Sequence, residues 1–515
     1  MLSFYIYNDG KPGQAVSLEG AHLVGSEGLP LRSEISVQDN RIVCQKRTAG
    51  TASLSVLWTV KVAGTLMLET ARLPERDEPY ILNVELARAR LMRIAQKIEE
   101  WGLFDHPGLT EVNKHLNRAR DLFIEALKAD DPGQAARLAD ESLSVGIPAS
   151  EAMARVHADL FLQKKRNGNA NRRGFGVKMP FGKLAGDAVL GRMRDFSDVV
   201  SVPMPWRSLQ PREHESDYSF DATDEQIGWL VKNRVPVMAG PLVSFAEDQV
   251  PDWLVLYEND FDSVRDLMVD HIRRVVERYK RYVTFWRVIS GLHADNALTF
   301  PFEQVMELTR VAVATVKQLA PKAVTIVEIV EPWGEYYARK ARTVPPVMYA
   351  EVLLQSGINF DAFGLRLPMG MPVRGGYVRD LFQISSLIDR FSTLGKPLHI
   401  TGFGAPSSLQ VDPRDCTNGQ AEPALAGSWR NGWSEPFQAI WAGHFARIAM
   451  SKPFVETLSW EDLTDAAPHV VPNGGILRLD GSAKPVFDEL SAVRRQLVLA
   501  KGAPAGSTKR SSSGK

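Results

Sequence analysis

Cysteine is scarce in this chain, since Cys44 and Cys416 are the only two among 515 residues. They lie far apart and lack the spacing of a metal-binding motif, so the sequence predicts neither a disulfide framework nor a zinc site. The sequence also lacks any apolar run approaching 18 residues. We therefore expect no helix that spans a membrane.

Net charge is also missing, because 61 lysine and arginine residues balance 61 aspartate and glutamate residues. This balance gives no electrostatic reason to expect a nucleic acid or a membrane surface as a partner. The segment from Met1 to Asp9 has neither a basic region nor a useful apolar stretch. We therefore expect no secretory signal and a cytoplasmic location.

Several common catalytic motifs are absent from the sequence. It contains no His-Glu-x-x-His, no Cys-x-x-Cys and no Gly-x-Ser-x-Gly, and no glycine-rich phosphate-binding loop follows the first strand of the large C-terminal region. We therefore predict no bound metal and no cofactor.

Residues 1–80 have the pattern of short strands. Apolar residues alternate on either side of Asp39-Asn40, which is a hairpin signal, and again from residue 54 to residue 60. We predict a small β-sandwich-like module with a structural or interaction role, and carbohydrate binding is the alternative. Residues 81–170 change to the spacing of amphipathic helices and are predicted to form a helical connector.

Strand-like and helix-like segments alternate from residue 171 to residue 500. Eight strands separated by helices predict an α/β fold, a (β/α)8 TIM barrel, with a doubly wound open sheet as the alternative. Residues 501–515, rich in glycine, serine and lysine, are predicted to be a disordered tail. The predicted strands are 175–179, 199–205, 235–243, 283–290, 324–331, 362–367, 398–402 and 455–460.

Several blocks of this barrel match a known pattern in order and spacing. The segment Trp286-Arg-Val-Ile-Ser-Gly291 is similar to Trp-Asp-Val-Val-Asn-Glu, and Val202-Pro-Met-Pro-Trp206 is similar to Asn-Glu-Met-Lys-Trp. Pro251-Asp-Trp-Leu254 is similar to Pro-x-Trp-Leu. All three patterns are those of glycoside hydrolase family 10, the xylanase family, which the chain resembles over roughly residues 172–495.

The departures from that family fall on its chemistry. The resemblance places Gly291 where the family has its acid/base glutamate and Gly402 where it has its nucleophile. The sugar-binding asparagine and lysine of the second strand fall at Val202 and Pro205. Retaining glycoside hydrolysis needs two carboxyl groups about 5–5.5 Å apart, so the parent mechanism is not expected to operate here.

Other residues at the ends of the predicted strands are candidate replacements. We consider Glu331 and Glu461 as a relocated acid/base pair, because active sites of such barrels lie at the carboxyl ends of the strands. Tryptophans at these ends are candidates for stacking on sugar rings, although packing is the alternative. The arginines are candidates for ligand binding, although pairing with the carboxylates in a structural ionic network is the alternative. The ligand-binding candidates are Trp206, Arg287, His293, Glu328, Arg366, Trp460 and Asp462.

The resemblance implies a xylanase-type glycoside hydrolase acting on β-1,4-linked polysaccharide or oligosaccharide, either inactive or with altered chemistry. The alternative is a non-catalytic carbohydrate-binding or interaction protein on the same barrel. Because Arg287 stands where the family has aspartate, an anionic sugar or another small anionic ligand is a natural partner. Facing free carboxylates in the barrel mouth would favour an enzyme, and carboxylates all bound by arginine would favour an inactive protein.

Overall fold

The computed structural model describes residues 1–13, 16–166, 174–214 and 218–499, and the predicted tail at 501–515 lies outside them. The N-terminal strands form a four-stranded sheet, most of a five-stranded sheet and a small hairpin. The predicted turn at Asp39-Asn40 is confirmed, because Val37 pairs with Ile42 across it. The strands are β1 (Leu2–Tyr5), β2 (Tyr7–Asn8), β3 (Lys11–Pro12), β4 (His22–Val24), β5 (Pro30–Leu31), β6 (Ser33–Gln38), β7 (Arg41–Lys46), β8 (Ser53–Val60), β9 (Gly64–Glu69) and β10 (Tyr80–Ile81).

Three long helices follow, α1 (Leu82–Glu100), α2 (Thr110–Lys128) and α3 (Pro132–Arg166). The apolar stripe of α2, which includes Leu116 and Phe123, is buried. Burial of one face at helical spacing is what the sequence pattern predicts for helices that pack together.

Eight parallel strands close into a barrel, which confirms the predicted (β/α)8 fold. The barrel closes where the first strand pairs with the last, with Phe175 opposite Leu458. The strands are β11 (Gly174–Lys178), β12 (Val199–Val202), β13 (Val237–Ala239), β14 (Val283–Ser290), β15 (Val324–Ile329), β16 (Ala362–Pro368), β17 (Leu398–Gly404), β18 (Ser428–Trp429), which lies outside the barrel, and β19 (Val455–Trp460).

Helices surround the barrel and connect its strands. Among them, the helix that begins after Asp380 has a capping box, in which Asp380 and Gln383 satisfy each other's backbone N–H groups. The helices are α4 (Asp187–Phe196), α5 (Trp206–Leu209), α6 (Asp221–Lys232), α7 (Phe261–Tyr279), α8 (Phe302–Leu319), α9 (Pro346–Gln355), α10 (Leu381–Ser392), α11 (Glu435–Ser451) and α12 (Pro485–Leu499). Short 3-10 helices span Pro107–Leu109, Asp252–Tyr257, Glu335–Ala338, Pro372–Arg374 and Pro423–Ala426.

The long loop between β17 and α11 joins the barrel to the N-terminal strands. Its strand β18 pairs antiparallel with β9, with Ser428 opposite Thr65, and so completes the five-stranded N-terminal sheet. The backbone N–H of Met67 also donates to the Val378 carbonyl at 2.8 Å. The N-terminal strands therefore hold in place two loops at the mouth of the barrel.

Buried ion pairs join the long helices to the barrel. Arg90 of α1 pairs with Asp380 at 2.5 Å, and both side chains are buried. Glu151 of α3 pairs with Arg430 and accepts a hydrogen bond from the Trp429 indole N–H at 2.9 Å. Among the described helices, none is long and apolar enough to cross a membrane.

Candidate active site

A cavity of about 240 Å³ opens at the carboxyl ends of the barrel strands. Side chains from β11, β14, β15 and β16 meet there with residues that follow β15 and β19. Six of the nine predicted site residues line this cavity, namely Arg287, Glu328, Glu331, Arg366, Glu461 and Asp462. The structure therefore brings together the charged candidates, but not the two tryptophans or the histidine.

Glu461 lies directly after β19 and is held by two cations. Arg366 donates to both of its carboxylate oxygens, at 2.8 and 3.1 Å, and Lys178 also bonds to it. Burial alone would raise the pKa of the Glu461 carboxyl, but Arg366 and Lys178 lower it to about 2. Glu461 is therefore ionised and fully paired at neutral pH.

The Glu461 carboxylate fills the space beside Gly402 of β17. A Cβ atom on Gly402 would lie 1.8 Å from Glu461 Oε2, which no real contact allows. By resemblance, Gly402 is the position of the family nucleophile. A carboxylate from the neighbouring strand thus occupies the space that a side chain at this position would need.

Glu328 of β15 is the second paired carboxylate. It accepts from Arg287 Nη1 at 3.1 Å and from Ser290 Oγ at 2.5 Å. Burial opposes ionisation of Glu328, but the positive charges of Arg287 and Arg366 lower its pKa below the usual value. Arg287 also donates to the carbonyl of Gly240. These contacts are those of the structural ionic network that the sequence offered as the alternative to ligand binding.

Glu331, just beyond β15, differs from the paired carboxylates Glu461 and Glu328. Its carboxyl group has no hydrogen-bond or ion-pair partner within the described part of the chain and is partly exposed in the cavity. Burial raises the pKa of Glu331 to about 8, and the nearby negative charge of Asp295 adds to the effect. Its backbone adopts φ 43°, a conformation that is uncommon outside glycine and that clusters at functional sites. Burial therefore favours the protonated form of Glu331 at neutral pH.

Asp462 lines the cavity, but its carboxylate organises the protein backbone. Its two oxygens accept from the N–H groups of Val470 and Val471, each at 2.9 Å. Burial raises the pKa of Asp462, and the positive charge of Lys178 and the hydrogen bond from Val470 oppose the effect only in part. Its contacts show that it fixes the loop that follows β19.

Three predicted ligand-binding residues do not line the cavity, and we correct those predictions. Trp460 is fully buried and donates to the Gly474 carbonyl at 2.8 Å. Trp206 is buried and stacks on His271 with ring centroids 4.5 Å apart. His293 is buried, its Nε2 lies 3.0 Å from the Val330 carbonyl oxygen, and burial lowers its pKa to about 4. All three side chains pack in the interior, where a ligand in the mouth does not reach.

Lys178, Asp295 and Arg374 also line the cavity and are not among the predicted site residues. Lys178 is the last residue of β11, and its position at a strand end, like that of Glu461, is a signal for a site residue. Asp295 lies in a loop and Arg374 ends a three-residue 3-10 helix, and neither segment has a strand periodicity that indicates which side chains face the mouth. No group of three or more potential metal ligands comes together in the described residues.

The barrel is similar in sequence to a known protein family and to curated proteins. The profile described as Glycosyl hydrolase family 10 matches residues 174–415. Endo-1,4-beta-xylanase B of Thermotoga neapolitana is 22% identical over 204 residues, covering 38% of this chain and 55% of the relative. Beta-1,4-xylanase of Dictyoglomus thermophilum is 30% identical over 97 residues, covering 19% of this chain and 26% of the relative.

The chain thus spans about half the length of the first relative and a quarter of the second. Among solved structures, xylanase 10B from Thermotoga petrophila RKU-1 in complex with xylobiose is 16% identical, with a TM-score of 0.48, over 65% of this chain and 97% of that one. The family profile and the curated relatives agree with the blocks identified in the sequence. The barrel of this chain is therefore similar in sequence to glycoside hydrolase family 10 and to proteins named as xylanases.

Proposed function

We propose that the barrel mouth binds a short saccharide of the β-1,4-linked xylan class and cleaves it with one general acid, Glu331. The observation that carries the proposal is the partnerless Glu331 carboxyl, whose pKa is raised to about 8. A general acid must hold its proton at the working pH and lie where a substrate can accept it. The substrate class follows from the xylanase-like barrel and from relatives named as xylanases.

In this reaction Glu331 transfers its proton to the glycosidic oxygen while the bond between that oxygen and the sugar C1 breaks. The oxygen of a water molecule forms the new bond to C1, and the proton that this water loses returns to the Glu331 carboxylate. The net change is hydrolysis, and only water is consumed. General acid help of this kind contributes about 10²–10⁴-fold, so cleavage is expected to be slower than with two free carboxyl groups.

The cavity itself favours a short ligand. Its volume of about 240 Å³ lies below the roughly 300–1,000 Å³ of typical ligand pockets. Phe181 is the one phenylalanine, tyrosine or tryptophan among the described residues that line it. A saccharide in this cavity is therefore bound mainly through its hydroxyl groups. These groups can donate hydrogen bonds to the carboxylates of the lining and accept hydrogen bonds from its lysine and arginine side chains.

A second candidate function is non-catalytic binding of an acidic saccharide. It is favoured by Glu461, where two cations, Lys178 and Arg366, surround one carboxylate. These two cations oppose a cationic transition state at the sugar C1, but they attract a carboxylate on a ligand. In this case the protein would bind the saccharide and release it unchanged.

The test is cleavage of xylobiose, xylotriose and an aryl β-xyloside between pH 5 and 9. We expect E331Q to lose about 100-fold or more in rate while its saccharide affinity, measured by calorimetry, changes less than about twofold. The wild-type rate should fall as the pH rises through about 8, because Glu331 then loses its proton. E247Q is the matched control, since Glu247 is exposed near the mouth but does not line the cavity.

Each outcome selects one function. Equal rates in E331Q and wild type would remove Glu331 from the mechanism. Binding without cleavage at every pH would leave the second candidate, which also requires that an acidic saccharide binds more tightly than xylobiose. Absence of binding to any of these saccharides would contradict both.

A further inference from the structure

One ion pair joins two non-adjacent sides of the cavity in the barrel mouth. Arg374 Nη2 donates to Asp248 Oδ2 at 2.6 Å, and both side chains line the cavity. Asp248 lies in the connection after β13, and Arg374 ends the 3-10 helix after β16. The strands between them are β14 and β15, which are followed by two other residues of the lining, Asp295 and Glu331. We call the Asp248–Arg374 pair the mouth latch, because it spans the sector of the mouth that carries Glu331.

The mouth latch lies close to the centre of the cavity. Burial opposes ionisation of Asp248, but the positive charges of Arg374 and Arg366 lower its pKa below the usual value. Such an effect requires that Arg366 lies near the latch. Arg366 in turn donates to Glu461, which follows the last strand of the barrel. The latch therefore crosses the opening instead of lying on its outer rim.

The backbone on each side of the mouth latch is held by hydrogen bonds. On one side, the backbone N–H of Arg207 in α5 donates to the carbonyl of Gln249 at 3.1 Å. On the other side, the backbone N–H of Gly376 donates to the carbonyl of Met371 at 2.9 Å and closes the turn that carries Arg374. Because both segments are fixed, rotation of the two latch side chains is sufficient to open the latch.

The mouth latch is weak enough to open and close. Its arginine side chain is 26% exposed and its aspartate side chain is 43% exposed. Water and dissolved ions compete for such a pair, so it stabilises the closed arrangement much less than a fully buried pair would. A linear molecule that extends through the mouth on both sides of the latch has to break the pair. A molecule that enters by one end does not.

We propose that the mouth latch determines which saccharides the barrel admits. A short saccharide or the free end of a chain enters beneath the closed latch, and an uninterrupted stretch of polymer does not. This inference rests on the proposed function and adds a length limit to it. Asp248 and Arg374 are specificity-determining residues in this scheme, and neither of them takes part in the proton transfer by Glu331.

Cys416 provides a measure of access to the mouth that needs no saccharide. It lines the cavity and is partly exposed, whereas the only other cysteine, Cys44, is fully buried. The test is the rate at which N-ethylmaleimide, a neutral reagent, alkylates Cys416 in wild type, D248N and R374Q. C416S identifies the signal. We expect a rate about fivefold higher in both variants, because either substitution opens the latch.

The two variants separate opening of the latch from a change of charge. Burial raises the pKa of the Cys416 thiol, Arg374 lowers it and Asp248 raises it. A pure charge effect would therefore speed alkylation in D248N and slow it in R374Q. Such opposite changes, or wild-type rates in both variants, would overturn the inference. D252N is the matched control, since Asp252 pairs with Arg207 at 2.8 Å in the same connection but does not line the cavity.

Ionic strength provides an independent check on the same reaction. Raising the salt concentration from about 0.1 M to about 1 M weakens a half-exposed ion pair. The wild-type alkylation rate should therefore rise toward that of D248N and R374Q, whose own rates should change little. A wild-type rate that does not respond to salt would contradict an ionic latch.

Saccharide length provides the second measurement, by calorimetry with xylobiose and soluble β-1,4-xylan. Wild type and D252N should bind xylan only at chain ends, whereas D248N and R374Q should bind several protein molecules per chain. Xylobiose affinity should change less than about twofold in all of these variants. Thermal unfolding of each variant shows whether a changed result reflects a loss of folded protein.

The failure of this inference is distinct from the failure of the proposed function. If xylan binds with the same stoichiometry in wild type, D248N and R374Q, the latch sets no length limit, while saccharide binding in the mouth stands. If neither sugar binds to any of these proteins, the proposed function and the length limit are both overturned. The alkylation rates then still show whether the ion pair controls entry to the mouth.

Discussion

The lack of a side chain at Gly402 determines how the Glu461 carboxylate is bound in the mouth of the barrel. Because Gly402 has no side chain, the Glu461 carboxylate lies against its backbone and reaches both Lys178 and Arg366. A buried carboxylate is stable only with such partners, and once paired it is a poor nucleophile. Glu331, which follows β15, is the acid of the mouth that has no partner among the described residues.

We expect G402A to destabilise the protein much more than G404A. The added methyl group at position 402 would lie 1.8 Å from Glu461 Oε2, whereas at position 404 the nearest atoms are 3.5 Å away. Overpacking of this kind costs about 1–3 kcal/mol, and displacement of Glu461 from its cations adds to that cost. Urea denaturation measures the difference, and equal midpoints would show that the Glu461 carboxylate moves away freely.

The sequence predicted the charged residues of the site better than it predicted their partners. Six candidates line the cavity because strand ends of a parallel barrel converge, which topology alone dictates. Whether Trp460 faces the mouth or the interior depends on the packing against Phe403 and on the hydrogen bond to Gly474. Those contacts come from distant parts of the chain, and no local pattern reveals them.

At the scale of elements, the loop between β17 and α11 belongs to two parts of the fold. Its two-residue strand β18 extends the N-terminal sheet, while Cys416 of the same loop lines the cavity in the barrel mouth. The eight barrel strands were predictable because each lies in an apolar-rich segment of four or more residues. A two-residue strand has no periodicity, and its partner β9 lies more than 350 residues earlier in the sequence.

Substitution of Gly64 tests the pairing of β18 with β9. We expect G64A to lower the free energy of unfolding by about 2–3 kcal/mol more than G50A does. Both glycines have positive φ, 104° and 106°, so alanine strains the backbone equally at either position. At position 64, however, the added Cβ atom would lie 2.3 Å from the Ser428 carbonyl oxygen, and at position 50 nothing lies within 4 Å.

Hydrogen exchange provides the second measurement for these two variants. Faster exchange at residues 423–430 in G64A, but not in G50A, is expected if β18 depends on β9. Unchanged exchange in this loop would mean that the barrel holds it without the N-terminal sheet.

At the scale of the whole molecule, the N-terminal region and the barrel share one hydrophobic core. The buried cluster runs from Leu2 of β1 to Val493 of α12. The change between strand and helix patterns predicted domain boundaries near residues 80 and 170. These patterns do not reveal that the segments are joined by buried ion pairs such as Arg90 with Asp380.

We expect R90M to lower the free energy of unfolding by about 3–5 kcal/mol, because it leaves the Asp380 carboxylate buried without its cation. R88M on the same helix is the control. Arg88 is 37% exposed in its pair with Glu85, so its loss should cost at most about 1 kcal/mol. Circular dichroism and tryptophan fluorescence should report one common transition in both variants, and two separate transitions would contradict a shared core.

The close contact between Glu461 and Gly402 also limits which substitutions the protein can accept at these two positions. A glutamate cannot enter position 402 while Glu461 remains, because their atoms would overlap. If Glu461 is lost first, Lys178 and Arg366 are left as neighbouring cations without their shared counter-ion. Introducing a glutamate at position 402 therefore passes through a less stable protein whether position 402 or position 461 changes first. Two single substitutions in succession are disfavoured, and both positions must change together.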